Sequence, residues 1–515
     1  MDGSVGNAVS REHRLRRAAV RLCSASALTA VVVGSTVTVA HAAVDPGLGY
    51  DPVTDKGSLY NVSEVVGAHQ AYRQGITGKG IGVALIDTGV APVPGLTSGN
   101  VVNGPDLSFD SQVPGLAHVD GYGHGTHLAS IIAGRDTAGT PASYLDPSHF
   151  DGIAPDATLV NVKVGASNGA VDVSQVIAGI DWVVEHAKDP GMNIRVITLA
   201  YGTDSVQSSS VDPLAYAVEN AEKHGILVVV AGGNDGQADL TLSNPALDPH
   251  VLAVGAMDDN GTVTSSDDTV PDWSTRGNTL RHVDVVAPGA SVLGLRVPGG
   301  TCDSENPQAR VGDRFARASG TSQAAAVVSG EAALILQQSP WMTPDQVKQA
   351  VMGTASSILS TVPIFGGNGL VDLRSILRNP LGAVLNTVTG LLSGLLQYGW
   401  GSGTGSLEAS RGSYHVSDGT TDLQGETDVF GSAWNGSSWA RQTAGGYAWN
   451  QGSWRGEQLT GATWQGGAWP TTTWTGTDWT GLAWPSDPWT ASSWHASSWH
   501  ASSWHASSWH GEGWF

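Results

Sequence analysis

Between residues 66 and 377 the chain alternates between two textures. Six short runs rich in β-branched residues, "GIGVALID", "ATLVNVKV", "IRVITLA", "GILVVVAGG", "HVLAVGA" and "HVDVVAP", read as buried strands. Among them lie "DVSQVIAGIDWVVEHAKD", "DPLAYAVENAEKHG" and "TPDQVKQAVMGTAS", with apolar residues at a period of 3.6 behind the capping residues Asp172, Asp212 and Thr343. A strand that is apolar throughout needs cover on both faces, and strands separated by helices run parallel. The expectation is an α/β domain on a mostly parallel central sheet. In such sheets the reactive residues gather at the carboxyl ends of the strands.

The flanks differ in texture. In residues 1–42, Arg11, Arg14, Arg16, Arg17 and Arg21 precede an uncharged run, Leu22 to Val39, that ends in small residues around Ala42. This is the pattern of a secretory signal peptide, so an extracellular protein is expected; an uncleaved membrane anchor is the alternative, disfavoured by the polar residues in the run. Residues 43–65 form a short extension. The net charge of −21 argues against nucleic acid and anionic membranes as partners. Cys23 leaves with the signal and Cys302 remains alone, so no internal disulfide is expected.

Residues 378–428 begin with an uncharged stretch, Pro380 to Trp400, whose leucines and valines fall on one helical stripe. A docking amphipathic helix is expected there, a membrane span being the alternative. A Gly/Ser-rich linker follows, and "YHVSDGTTDLQGETDVFG" reads as a short all-β element. In residues 429–515 tryptophan recurs at every fifth position from Trp434 to Trp514, interrupted only by Ala444 and Leu459. A spacing of five aligns side chains in neither a strand nor a helix. Either the repeat contains its own turn and builds an all-β coil, or it is a low-complexity tail. Exposed indoles would suit sugar rings, so cell-wall polysaccharide or another envelope component is a candidate partner through this tail. His495, His500, His505 and His510 read as solvated repeat residues.

Four polar residues stand at predicted element ends. Asp87 closes the strand "GIGVALID"; His124 lies in "DGYGHGTHLAS" between Gly123 and Gly125; Asn234 follows the strand end Gly232-Gly233; Ser322 opens a small-residue helix in "GTSQAAAVVSG". Each alone is an ordinary turn or cap residue. Together they resemble the subtilisin-like serine proteases: "ALIDTGV", "GHGTH", "AGGNDG" and "SGTS" agree with the four signature blocks of that family in the right order. Minor blocks such as "DGIAPDATL", "WSTRG" and "VDVVAPG" agree as well.

The resemblance implies a three-layer α/β domain and a serine endopeptidase acting on proteins or peptides. By it, Asp87, His124 and Ser322 would form the triad and Asn234 would be the oxyanion donor. Ala200, Tyr201 and Gly202, after "ITL", would pair with the substrate backbone, with Gly232 beside them. The chemistry asks for the same roles: a histidine base for the serine, a carboxylate to hold the tautomer, and an amide for the oxyanion. No cofactor is required for that chemistry; structural calcium is common in the family, with ligands here unassigned.

The chain departs from the family in having Gln323-Ala324-Ala325-Ala326 where Met-Ala-Ala-Pro is usual. It also leaves only residues 43–65 ahead of the domain, shorter than the usual inhibitory prodomain. Two other readings stand beside this one. "GASNG" places Ser167 in a nucleophile-elbow pattern after a strand. Alternatively, the catalytic domain is vestigial and the protein binds surfaces through its tryptophan tail.

Overall fold

The computed structural model describes residues 48–111, 115–236, 240–356, 367–385, 399–416, 422–450, 452–460 and 463–465. Among these, β1 (Gly82–Asp87), β2 (Val101–Asp106), β3 (Thr158–Lys163), β4 (Ile194–Leu199), β5 (Leu227–Ala231), β6 (Leu252–Met257) and β7 (Val285–Pro288) form one sheet in the order β2-β3-β1-β4-β5-β6-β7. Every neighbouring pair is parallel. β1, β5, β6 and β7 are buried along their whole length, as continuous apolar runs require. Helices flank the sheet in a three-layer α/β architecture.

The three expected helices form at Val173–His186, Pro213–Lys223 and Pro344–Thr354. Asp172, Asp212 and Thr343 cap them by accepting hydrogen bonds from first-turn amides. An antiparallel ribbon of β8 (Val292–Leu295), β9 (Arg310–Val311) and β10 (Phe315–Ala318) leads into the helix Thr321–Gln338, whose residues from Thr321 to Leu336 are all buried. That helix packs against β4 to β7 and against the helix His124–Ala133. The described part of the N-terminal extension is built into the same body: Ser58 caps the helix Leu59–Val66, which buries Leu59, Val62, Val65 and Val66.

Two expectations need correction. No strand is assigned among the described residues of 414–431, where a short all-β element was expected. Arg411 explains the local order instead: its buried guanidinium donates to Asp172 Oδ2 (2.6 Å) and to Gly425 O (2.7 Å), pinning this segment to the cap of the helix Val173–His186.

The start of the tryptophan repeat is likewise part of the body. Trp434, Trp439, Trp449 and Trp454 are buried. Trp439 Nε1 and Trp454 Nε1 both donate to Asp181 Oδ2 (2.8 and 2.9 Å), Thr443 Oγ1 donates to Asp181 Oδ1, and Trp449 Nε1 donates to Ala178 O at 2.8 Å. These four indoles are therefore not available to an external sugar. From Trp449 the chain folds into a meander, β11 (Trp449–Asn450), β12 (Ser453–Trp454), β13 (Glu457–Thr460) and β14 (Thr463–Gln465), in which Trp449 faces Trp454 and Leu459 faces Trp464 in register. Turns inside the repeat thus bring successive fifth positions opposite one another. The signal segment, most of the Pro380–Trp400 stretch beyond the short helix Pro380–Leu385, and the repeat from residue 466 onward, with its "ASSWH" copies, lie outside the described residues.

Candidate active site

The strand order reverses around β1, the crevice position where open α/β sheets carry their ligands. Asp87 is the last residue of β1, Ala200 to Gly202 follow β4, and Gly232 to Asn234 follow β5. These three strands are neighbours, so the three segments share one carboxyl edge.

His124 begins the helix His124–Ala133. Its Nδ1 donates to Asp87 at 2.9 Å (Oδ1) and 3.0 Å (Oδ2), which leaves Nε2 as the basic nitrogen. Both side chains are buried. Burial pushes the Asp87 carboxyl above its ordinary range, against the opposing pull of the His124 ring. Thr88 N and Thr88 Oγ1 also donate to Asp87 Oδ1 (2.7 and 3.2 Å), fixing the carboxylate from its own side.

A second carboxylate sets the helix entrance. Asp120 Oδ1 accepts from Tyr122 N (3.0 Å) and Gly123 N (2.7 Å), and Oδ2 accepts from Thr126 N (2.8 Å). Three amides at the helix start are thereby paired by one buried side chain. Gly125 is required by close approach: a Cβ there would lie 2.3 Å from Gly89 O and 2.9 Å from Asp87 Oδ1. The other histidine of "GHGTH", His127, is structural. Burial lowers its pKa to about 4, and its Nε2 lies 3.2 Å from Ala316 O.

Ser322 is the second residue of the helix Thr321–Gln338, which packs against the helix that His124 begins. Of the four hydroxyls between residues 316 and 330, three are committed elsewhere. Ser319 Oγ accepts from Ser291 N, Thr321 Oγ1 bonds the Asn234 segment, and Ser329 Oγ donates to Ala325 O.

Asn234 Oδ1 accepts from Thr321 N (2.9 Å) and Thr321 Oγ1 (3.1 Å), while Gly233 N donates to Thr321 Oγ1 (3.2 Å). The β5 loop is therefore stapled to the residue before Ser322. With its carbonyl end so anchored, the amide presents Nδ2 on its other side as a donor.

Ala200, Tyr201 and Gly202 are buried next to a bridge in which Thr203 and Asn244 exchange backbone hydrogen bonds of 2.8 Å. Gly232 N is used within the sheet, donating to Val254 O at 2.9 Å. Gln323 is only 1% exposed, and neither of its amide atoms has a hydrogen-bond partner among the described residues.

Ser167 is not in a nucleophile elbow. The next helix starts at Val173, and both Ser167 N and Ser167 Oγ donate to Asp110 Oδ2 (2.6 and 2.7 Å). Calcium needs a set of hard oxygen ligands. The described cluster Glu219, Asp248 and His250 does not fit it: Gly401 N donates to both Glu219 oxygens, Lys223 Nζ stands 3.5 Å from Glu219, and the third ligand is a nitrogen. No helix among the described residues is long and apolar enough to cross a membrane.

Comparison with known proteins bears on the same region. A family model described as the Subtilase family, Peptidase_S8, matches residues 78–401. Serine protease AprX of Bacillus subtilis is 36% identical over 328 residues, which is 62% of this chain and 72% of that protein. Subtilisin Savinase of Lederbergia lenta is 34% identical over 314 residues, 61% of this chain and 96% of that protein. Among solved structures, a crystal structure of a cold adapted subtilisin-like serine proteinase aligns at 28% identity with a TM-score of 0.42, covering 58% of this chain and 88% of that one.

Proposed function

The chain belongs to the subtilase family and is a serine-type endopeptidase, and from that premise we propose that Ser322 is its nucleophile, His124 its general base, Asp87 the orienting carboxylate and Asn234 the oxyanion donor. The observation that carries this assignment is the pair of anchored side chains. His124 is held by Asp87 at 2.9 Å, and Asn234 is held by the residue next to Ser322.

In this mechanism Ser322 Oγ attacks the peptide carbonyl carbon as its proton passes to His124 Nε2. Asp87 stabilises the imidazolium. Asn234 Nδ2 and the Ser322 backbone N–H hold the tetrahedral oxyanion. When the intermediate collapses, the C–N bond breaks, His124 returns the proton to the leaving amine, and an acyl-enzyme remains. Water, deprotonated by the same histidine, then releases the acid and regenerates Ser322. The Ala200–Gly202 edge lines the extended substrate, with Tyr201 narrowing the adjoining pocket.

Residues 1–42 direct the enzyme out of the cell in this reading, and proteins or peptides are its substrates. Envelope binding through the tail concerns the repeat beyond residue 465. Enzyme purified from culture medium is expected to cut a peptide library at internal bonds, with S322A slower by about 10⁶-fold, a magnitude taken from subtilisin itself. Undiminished cutting by S322A would overturn the assignment, and activity confined to the cells would overturn export.

A further inference from the structure

The family's matched region ends at residue 401, and the chain beyond it returns to the loop behind Ala200–Gly202. Thr203 directly follows that edge. Its backbone is spent on the bridge to Asn244, and its hydroxyl donates to Ser410 O at 2.7 Å. Ser410 is fully buried and holds the far end of the same loop as well, since its Oγ donates to Asp212 Oδ1 at 3.0 Å. Between those ends Ser402 N donates to Ser210 O (2.8 Å) and Gly405 N to Val211 O (2.7 Å). Gln207 Nε2 donates to Ser406 O (2.7 Å), and Gln207 Oε1 accepts from Ser406 N (3.1 Å). Residues 402–413 thus line the loop 203–212 from one end to the other.

Asp204 accepts from Ser413 N (2.8 Å) and Ser413 Oγ (2.6 Å). Here the two main chains come as close as glycine allows. A Cβ on Gly412, whose φ is +65°, would lie 1.9 Å from Asp204 Oδ1 and 2.8 Å from Asp204 O. The segment has its own anchors: Arg411 binds Asp172 Oδ2 at 2.6 Å, and Leu407 is buried in the core. Its position therefore comes from the helix Val173–His186 and is handed on to Thr203. On the other side, a Cβ on Gly202 would lie 2.6 Å from Ser243 Cβ. The edge is clamped between Ser243–Asn244 and the segment 402–413.

Given that Ala200–Gly202 lines the extended substrate, as the proposed function has it, we propose that residues 402–413 are a buttress for that edge. Ser410 and Ser413 are its positioning residues, and they act through Thr203 and Asp204. A strand edge holds a peptide by main-chain hydrogen bonds, whose strength depends on alignment. The buttress therefore supports binding of the residues ahead of the scissile bond rather than the bond-breaking step. Chain beyond the family's matched region becomes a determinant of affinity for long peptides.

Peptide anilides with two and with four residues ahead of the same leaving group test this on the full-length enzyme. In wild type the longer substrate is expected to have a KM about tenfold lower, the worth of one or two added hydrogen bonds. In T203V and in G412A its KM is expected to rise about fivefold, with kcat and both constants of the shorter substrate within about twofold of wild type. Both lengths are cut by the same enzyme sample, so a variant that is merely less stable keeps the ratio of their kcat/KM values. A folded T203V or G412A that keeps the full wild-type gain from length would overturn the proposal alone. If wild type gains nothing from length, the substrate role of Ala200–Gly202 falls and the proposal with it. Should G412A fail to fold, T203V decides.

Discussion

Asn234 spends one end of its amide on structure, since Oδ1 accepts two hydrogen bonds from Thr321, the neighbour of Ser322. Substitution N234A therefore has two separable effects. Loss of the oxyanion donor should lower kcat by about 10²–10³ with KM little changed, the size known from subtilisin. Loss of the acceptor for Thr321 N should cost about 1–3 kcal/mol of stability. Steady-state kinetics and denaturant unfolding measure the two independently; an unaltered kcat would remove Asn234 from the mechanism. At this scale the candidate site was legible only from its members together: Asp87, His124, Asn234 and Ser322 each pass alone for a turn or cap residue, and it is their order and their places at strand ends and helix starts that single them out. Asp120 was not legible. Its role is to pair three amides of a helix entrance, and nothing in the spacing of "DGYGH" separates that from a turn aspartate.

At the scale of elements, the continuous apolar runs became strands and the capped periodic stretches became helices. Of the seven strands of the central sheet, the one that escaped was β2, "VVNGPD". Glycine and proline argue against a strand, yet β2 is an edge strand, where a missing N–H is tolerated, and Gly104 makes room for the Trp182 ring. The docked tryptophans escaped for a different reason: their partner Asp181 lies more than 250 residues earlier in the chain. Burial raises the Asp181 carboxyl from 3.8 to about 6. A raised folded-state value means the folded protein holds this proton more tightly than the unfolded chain does. The stabilisation it brings is thus full below about pH 4 and is lost as pH rises through about 6, on the order of 3 kcal/mol in all. Chemical unfolding between pH 4 and 7 should show wild type losing stability relative to D181N across that window. Parallel profiles for the two proteins would mean that Asp181 does not titrate there.

For the whole molecule, one sheet organises both ends of the account. Asp87 and Asn234, to which the proposal gives catalytic roles, lie at its carboxyl edge, and at its amino edge Lys348 Nζ donates to Pro249 O and Val251 O, tying the helix Pro344–Thr354 to the turn into β6. The first tryptophans of the repeat close over the helix Val173–His186, so the catalytic body extends past the family's matched region into the tail. The central claim is that His124, Asp87 and Asn234 converge on one activated alcohol. Labelling the folded enzyme with a fluorophosphonate and mapping the adduct by peptide mass tests it most directly. A single adduct on Ser322, absent from S322A and H124A, is the predicted result. Folded protein left unlabelled, or an adduct on Ser167, would contradict it.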